Sequence, residues 1–309
     1  MDAKTAFLNG LLSEEIYMEQ PEGFVRRRTE HLVCKLLKSL YGFKQAPRIW
    51  YHTLRTFLET LGFRKLIKDQ CVFMGTINEQ TCYIAVYVND LPIICPSLSP
   101  MQRIKSALNK KLTMSDFGDA HYLIGWNTVR DRKQRTIHIH QENYANTVFK
   151  RFNHLDAQTV SIPTDKSIVL TQAMCPSTKE KTEEMANVPY RDAVGSVMYL
   201  IMSTRPDHAY FLREVSQFHV NPGREYWNAV KHGLKYLKGT TALGITLGGR
   251  ENLTLLEKKT FLSAYTDASY ANCKDTRRSI GGYITLLCNS PISWQSRKHH
   301  TVVLSITEA

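Results

Sequence analysis

The sequence lacks any apolar run approaching the roughly 18 residues that a membrane-spanning helix needs, and its start, Met-Asp-Ala-Lys, lacks the apolar stretch of a signal peptide. Those absences predict a protein of the cytoplasm or nucleus, neither secreted nor embedded in a membrane. A Cys-x-x-Cys pair is missing as well. The seven cysteines lie scattered at 34, 71, 82, 95, 175, 273 and 288, which excludes a disulfide framework, argues against a zinc site and leaves them as reduced, mostly core thiols. No internal repeat or low-complexity tract is present, and 43% apolar residues over 309 predict about two globular domains, not disorder. Acidic residues are in deficit. Forty Lys and Arg face 28 Asp and Glu, and the net charge of +12 gives a surface potential suited to a polyanion or an anionic membrane face.

Periodicity organises what is there. In "RIWYHTLRTFLETL", 48 to 61, Ile49, Trp50, Leu54, Phe57, Leu58 and Leu61 recur at 3.6-residue spacing, and Gly62 follows as a stop, so an amphipathic helix is predicted. From Arg26 to Lys68 there are eleven Lys or Arg against two Glu, interleaved with Tyr41, Phe43, Trp50 and Tyr51, a mixture suited to phosphates and stacked bases or simply to a solvated face. "TCYIAVYVNDLPIIC" reads as strand, a two-residue tip at Asn89-Asp90, and strand. Ser99 and Pro100 are placed to start a helix carrying Met101, Ile104, Leu108 and Leu112. A strand over 136–140 sets His138 and His140 on one face, and a helix follows. Residues 153–187 lose periodicity and read as a linker or long connection; helices are predicted over 190–203, 207–219 and 224–238. "FLSAYTDASYA", "SIGGYITLLCN" and "PISWQSRK" read as three successive strands, and "HTVVLSITEA" as the opening of a helix.

"MDAKTAFLNGLLSEEIYMEQPEGF", "CKLLKSLYGFKQAPRIWY", "YVND", "FGDAHYLIGW", "VGSVMYLIMSTRPD", "YLKGT" and "YTDASYA...RRSIGGY...ISWQSRK...SITEA" come in the order seen in Pol polyproteins of copia-type retrotransposons, which the whole chain resembles. The resemblance implies an α+β fold: a reverse transcriptase palm and thumb over 1–152, a linker over 153–187, a helical connection over 188–259 and the front of a ribonuclease H-like domain over 260–309. It implies RNA template and DNA primer, or an RNA–DNA hybrid, as partners, and Mg²⁺ as cofactor. A polymerase of this kind holds two Mg²⁺ ions about 3.5–4 Å apart on hard oxygen ligands.

By resemblance, Asp2 is the first palm carboxylate, and Asn89 and Asp90 fill the Asp pair of a Tyr-x-Asp-Asp hairpin tip, leaving Asp2 and Asp90 as metal ligands. Asn89 departs from the pattern at the firmer ligand position. An amide brings no negative charge to the metals, so impaired catalysis is expected, although Asn-Asp is also an ordinary turn pair. Pro92 removes a backbone donor from the returning strand. Phe7 matches the aromatic gate that excludes a ribonucleotide 2′-hydroxyl, and is otherwise readable as a core aromatic. Lys44 and Gln45 match the segment under the templating base and incoming nucleotide. "FGDAHYLIGW" resembles the turn and strand that grip the primer terminus, with Trp126 off the pattern. Arg26, Arg27, Arg28, Lys35, Lys38 and Arg48 are the candidate nucleic-acid contacts.

Ribonuclease H sites use four carboxylates, of which Asp267 matches the first and Glu308 the second; the other two and most of the fingers are expected to be missing, and hybrid cleavage is not expected. The expectation is a reverse transcriptase relic with an impaired or dead active site. An active enzyme and a non-catalytic nucleic-acid-binding protein are the alternatives.

Overall fold

The computed structural model describes residues 1–165, 167–249 and 261–308; the expected boundary at 259/260 lies outside the described residues. It divides into two compact units, Met1–Ala120 and His121–Ala309. Each is mixed α and β, and seven α-helices occur among the described residues. None is long and apolar enough to cross a membrane.

In the first unit, β1 (Asp2–Ala3) pairs antiparallel with β8 (Met114–Ser115), and β2 (Tyr17–Met18) with β3 (Cys34–Lys35). A four-stranded antiparallel sheet runs β4 (Arg64–Lys65), β5 (Val72–Ile77), β6 (Gln80–Ala85) and β7 (Ile93–Ile94). Two helices share its core, α1 (Ala46–Thr60) and α2 (Leu98–Lys111). Trp50, Leu54 and Leu58 form the buried stripe of α1 and join Phe73 and Ile84 of the sheet with Ile104 and Leu108 of α2. Each such side chain contributes roughly 1.5–3 kcal/mol on burial. The α1 helix stops where predicted: Gly62 takes φ +86°, open to a residue without Cβ, and Phe63 N–H donates to the Leu58 carbonyl at 3.1 Å. The α2 helix starts earlier than predicted, with Ser97 at its N-cap and Pro100 buried in the first turn.

The second unit opens with an antiparallel sheet in the order β12 (Gly244–Gly248), β11 (Thr136–His140), β10 (Trp126–Asp131) and β9 (Tyr122–Leu123). His138 and His140 share a face as predicted, their rings stacked 5.4 Å apart. Five helices follow: α3 (Glu142–Arg151), α4 (Lys179–Ala186), α5 (Tyr190–Ser203), α6 (Ala209–Ser216) and α7 (Arg224–Gly239). The α4 helix lies inside the stretch read as a connection; it buries only Met185, so it leaves no apolar stripe for the sequence to display. Val194, Val197, Phe211, Val230 and Leu234 bring α5, α6 and α7 into one core. A Cβ on Gly233 would meet the Phe211 ring at 2.3 Å, so glycine permits this approach of α7 to α6.

A polar cluster around the buried Arg205 ties the same helices. Arg205 donates to both oxygens of Asp207 at 2.9 and 2.7 Å and to the Thr240 carbonyl at 3.0 Å, and the Tyr236 hydroxyl donates to Asp207 at 3.0 Å. Burial opposes the Asp207 charge, but Arg205 outweighs it and holds the carboxyl below its usual range. The three predicted C-terminal strands form an antiparallel meander, β13 (Leu262–Ser269), β14 (Ile280–Leu287) and β15 (Ser290–Lys298). Cys288 and Asn289, both at positive φ, make the tight turn between the last two. Trp294 Nε1 donates to the Ile201 carbonyl at 3.0 Å and fastens this sheet to α5.

Candidate active site at the hairpin tip

The turn after β6 lies one residue earlier than predicted. Tyr87 and Asp90 exchange both backbone hydrogen bonds, each at 2.9 Å, so Val88 and Asn89 are the two turn residues and Asp90 already belongs to the returning strand. Val88 carries φ +55°. For a β-branched residue that conformation is strained, by about 1–3 kcal/mol. Two contacts hold it. The buried indole of Trp50 donates from Nε1 to the Val88 carbonyl at 2.5 Å, and the returning strand is paired along its other side with the chain start. There Ala3 N–H donates to the Asn89 carbonyl at 2.8 Å and Leu91 N–H to the Met1 carbonyl at 2.7 Å. Asp2 and Asp90 face each other as an antiparallel bridge.

The structure thus brings Asp2, Asn89 and Asp90 together. Burial, and then the Asp2 charge, push the Asp90 carboxyl above its ordinary range. Two hard carboxylate donors repelling each other fit a divalent cation between them. Asn89 does not add to that charge: its Nδ2 donates to Asp2 Oδ2 and so occupies one carboxylate oxygen. The reverse orientation would set the amide oxygen against an acceptor-only carboxylate, which fixes the direction of this bond. Behind the tip, Pro92 stands opposite Ala85; Ala85 N–H donates to the Pro92 carbonyl at 3.0 Å, and proline has no N–H for the return bond.

The remaining predicted residues lie around this tip or apart from it. Phe7 follows β1 in a short 3₁₀ turn, half-buried, its ring centroid 4.8 Å from that of Tyr41; the buried Ser39 hydroxyl donates to its carbonyl. Gln45 stands at the N-cap position of α1 without a side-chain capping bond and, with Arg48, lines a cleft of about 1150 Å³ along that helix, whereas Lys44 is exposed beside it. Arg26, Arg27 and Arg28 are exposed on a loop that Gln20 closes, accepting from Arg26 N–H at 3.0 Å and donating to the Thr29 carbonyl at 2.5 Å. Lys35 pairs with Glu15, and Lys38 is exposed, in a backbone bridge with Leu11.

In the second unit Asp267 sits on β13, exposed, accepting from Ala268 N–H at 2.9 Å. Glu308, also exposed, accepts from Leu304 N–H at 3.0 Å in a 3₁₀ turn where a helix opening was predicted. Among the described residues no group of three or more His, Cys, Asp and Glu side chains is gathered as a metal site. Leu123 to Trp126, within the segment likened to a primer grip, forms a tight hairpin, with Ile124 and Gly125 both at positive φ. Sequence reasoning placed Trp50 in the core but missed its hydrogen bond; the signal was available, since a buried indole N–H must find an acceptor.

Residues 1–166 match the family model described as reverse transcriptase (RNA-dependent DNA polymerase). The full chain is 43% identical to part of the retrovirus-related Pol polyprotein from transposon TNT 1-94 of Nicotiana tabacum, covering 23% of that protein, and 38% identical to that from transposon RE2 of Arabidopsis thaliana, covering 20%. It therefore spans about a fifth of the length of these two curated relatives. A transposon Ty5-1 protein of Saccharomyces cerevisiae is 30% identical over 98% of this chain and 94% of its own length. No solved structure matches the chain. With the ordered motifs and the facing Asp2 and Asp90 already in place, these matches show that the chain belongs to the reverse transcriptase family, among the Pol polyproteins of copia-type retrotransposons.

Proposed function

We propose that the first unit is the palm of an RNA-directed DNA polymerase whose metal seat is impaired by Asn89. The observation that carries the reading is the hydrogen bond from the Asn89 amide to Asp2, which puts a neutral donor where charge is needed and engages an oxygen of the first carboxylate. Asp2 and Asp90 are the residues that would hold Mg²⁺. When bound, the metal supplies Lewis acidity toward a primer hydroxyl and neutralises triphosphate charge. The Asn89 amide oxygen would be a neutral ligand that brings no charge to the metal. Phe7 bounds the sugar of the incoming nucleotide, and Gln45 and Lys44 lie under the templating base. Each of these roles rests on the family pattern and the placement of these residues near the start of the chain and of α1.

The test is primer extension on an RNA template with Mg²⁺, comparing the chain with its Asn89→Asp variant. Replacing the missing charge is expected to raise the rate roughly 10²–10³-fold, the size of one preorganised electrostatic group. Equal rates for the two proteins would refute the reading. A second reading, nucleic-acid binding without catalysis, is favoured by the exposure of Arg26, Arg27 and Arg28 on one loop. Its mark is a primer–template affinity that falls steeply with salt and survives Asp90→Asn.

A further inference from the structure

The second unit encloses a cavity of about 780 Å³ that the polymerase reading does not use, a volume in the range of small-molecule sites. Its apolar wall includes Phe211 and Val215 of α6 and Ile280 at the start of β14. Residues 162–165 and 168–170 form another wall, and His232 Nε2 bonds the Ile162 carbonyl at 3.0 Å. Into this mostly apolar space reaches Arg213, whose side chain is only 7% exposed. Its guanidinium stacks 4.6 Å from the Tyr210 ring centroid and pairs with Glu214, yet the buried Nε has no partner. A buried donor left open in this way is rare in native proteins and calls for an acceptor.

The charge around the cavity favours an anion. Lys231, Lys235 and Lys274 line it without an ion pair among the described residues, and they outnumber Asp165 and Asp275, the two lining carboxylates for which no ion pair is formed there either. Glu214 pairs with Arg213, both oxygens of Asp275 accept from Gln172 N–H, and Asp165 accepts from Ser167. We propose that this cavity binds a small organic anion, its carboxylate or phosphate on the Arg213 guanidinium and its flat apolar body against Phe211, Val215 and Ile280.

Cys273 lines the same cavity and reports on it. Burial disfavours its thiolate, but hydrogen bonds from Thr276 and the Lys298 ammonium at 3.7 Å outweigh that and bring the thiol below the ordinary cysteine range. The experiment follows carbamidomethylation of Cys273 by iodoacetamide in the full chain, peptide by peptide, with exposed Cys71 as internal control. Four probes compete: 1-naphthoate, 1-naphthyl phosphate, 1-naphthalenemethanol and inorganic phosphate. One or both naphthyl acids should protect Cys273 alone, at concentrations about tenfold below those the neutral alcohol or inorganic phosphate requires, as one charge-assisted hydrogen bond plus an apolar body implies. Which acid protects distinguishes a carboxylate from a phosphate ligand. Arg213→Met should erase the advantage of acid over alcohol; should that variant not fold, the four-probe comparison on the unaltered chain decides alone. Equal protection by the alcohol, equal protection by inorganic phosphate, or none from any probe overturns the proposal.

Discussion

In Met1–Ala120 the polar groups of interest lie on a half-open turn. Asp2 and Asp90 repel, and Val88 is held at positive φ by the indole behind it. In His121–Ala309 a polar cluster of Arg205 with Asp207, Tyr236 and Thr240 is held by mutual hydrogen bonds around the buried Arg205. Repulsion and strain left partly uncompensated are the pattern on which the proposed metal seat rests, whereas mutual satisfaction is the pattern of scaffold. Asp267 fits neither description: it is exposed on β13 and bonded only locally, to the N–H of the next residue.

The sharpest test of this contrast lies in acid. Burial holds the His208 imidazole at about 3, neutral in the fold, against about 6.5 in an unfolded chain. The folded state binds fewer protons, so the second unit should be fully stable above pH 6.5 and lose on the order of 4–5 kcal/mol as pH falls towards 3. Denaturant titrations at pH 7.5 and 4 measure this, and His208→Phe should flatten the acid limb. Next comes the Asn89→Asp gain in primer extension, a rise in rate that goes with a loss of stability in the absence of Mg²⁺, because the new carboxylate gives up the bond to Asp2 and repels it. Trp50→Phe keeps a ring in the core but removes the donor to Val88, and should cost about 1–3 kcal/mol of unfolding free energy in the first unit. Val88→Gly relieves the positive φ and should stabilise that unit by up to about 1 kcal/mol, despite glycine's greater freedom when unfolded. Asp267→Asn should move the melting midpoint least, within about 0.5 kcal/mol; a larger loss would show that β13 is more tightly integrated than its exposure indicates.

Much of this architecture is legible in the residues alone. Trp50, Leu54 and Leu58 in α1, and the segments of α5 and α7, declare themselves by 3.6-residue spacing, because one stripe of each helix is buried. The strand segments of β13 to β15 are equally readable from β-formers bounded by turn residues. Two features are not. The α4 helix presents no stripe, and the hairpin turns at Val88-Asn89 although Asn89-Asp90 is the better turn pair by local preference. There the register is set from outside, by Met1 and Ala3 pairing with residues 89–91, a non-local constraint that no local window contains. At the candidate site, the family resemblance names Asp2, Asn89 and Asp90, and the fold sets them side by side. The direction of the Asn89 amide and the support from Trp50 need geometry.

The backbone bond from Asp90 N–H to the Tyr87 carbonyl has a chemical corollary. Spontaneous hydrolysis of an asparagine side chain begins when the nitrogen of the following residue attacks the side-chain carbonyl to close a five-membered imide. Here that nitrogen is engaged and its peptide plane is fixed within a tight turn. Ageing in solution should therefore leave position 89 as an amide, and prolonged storage should not generate a carboxylate there by default.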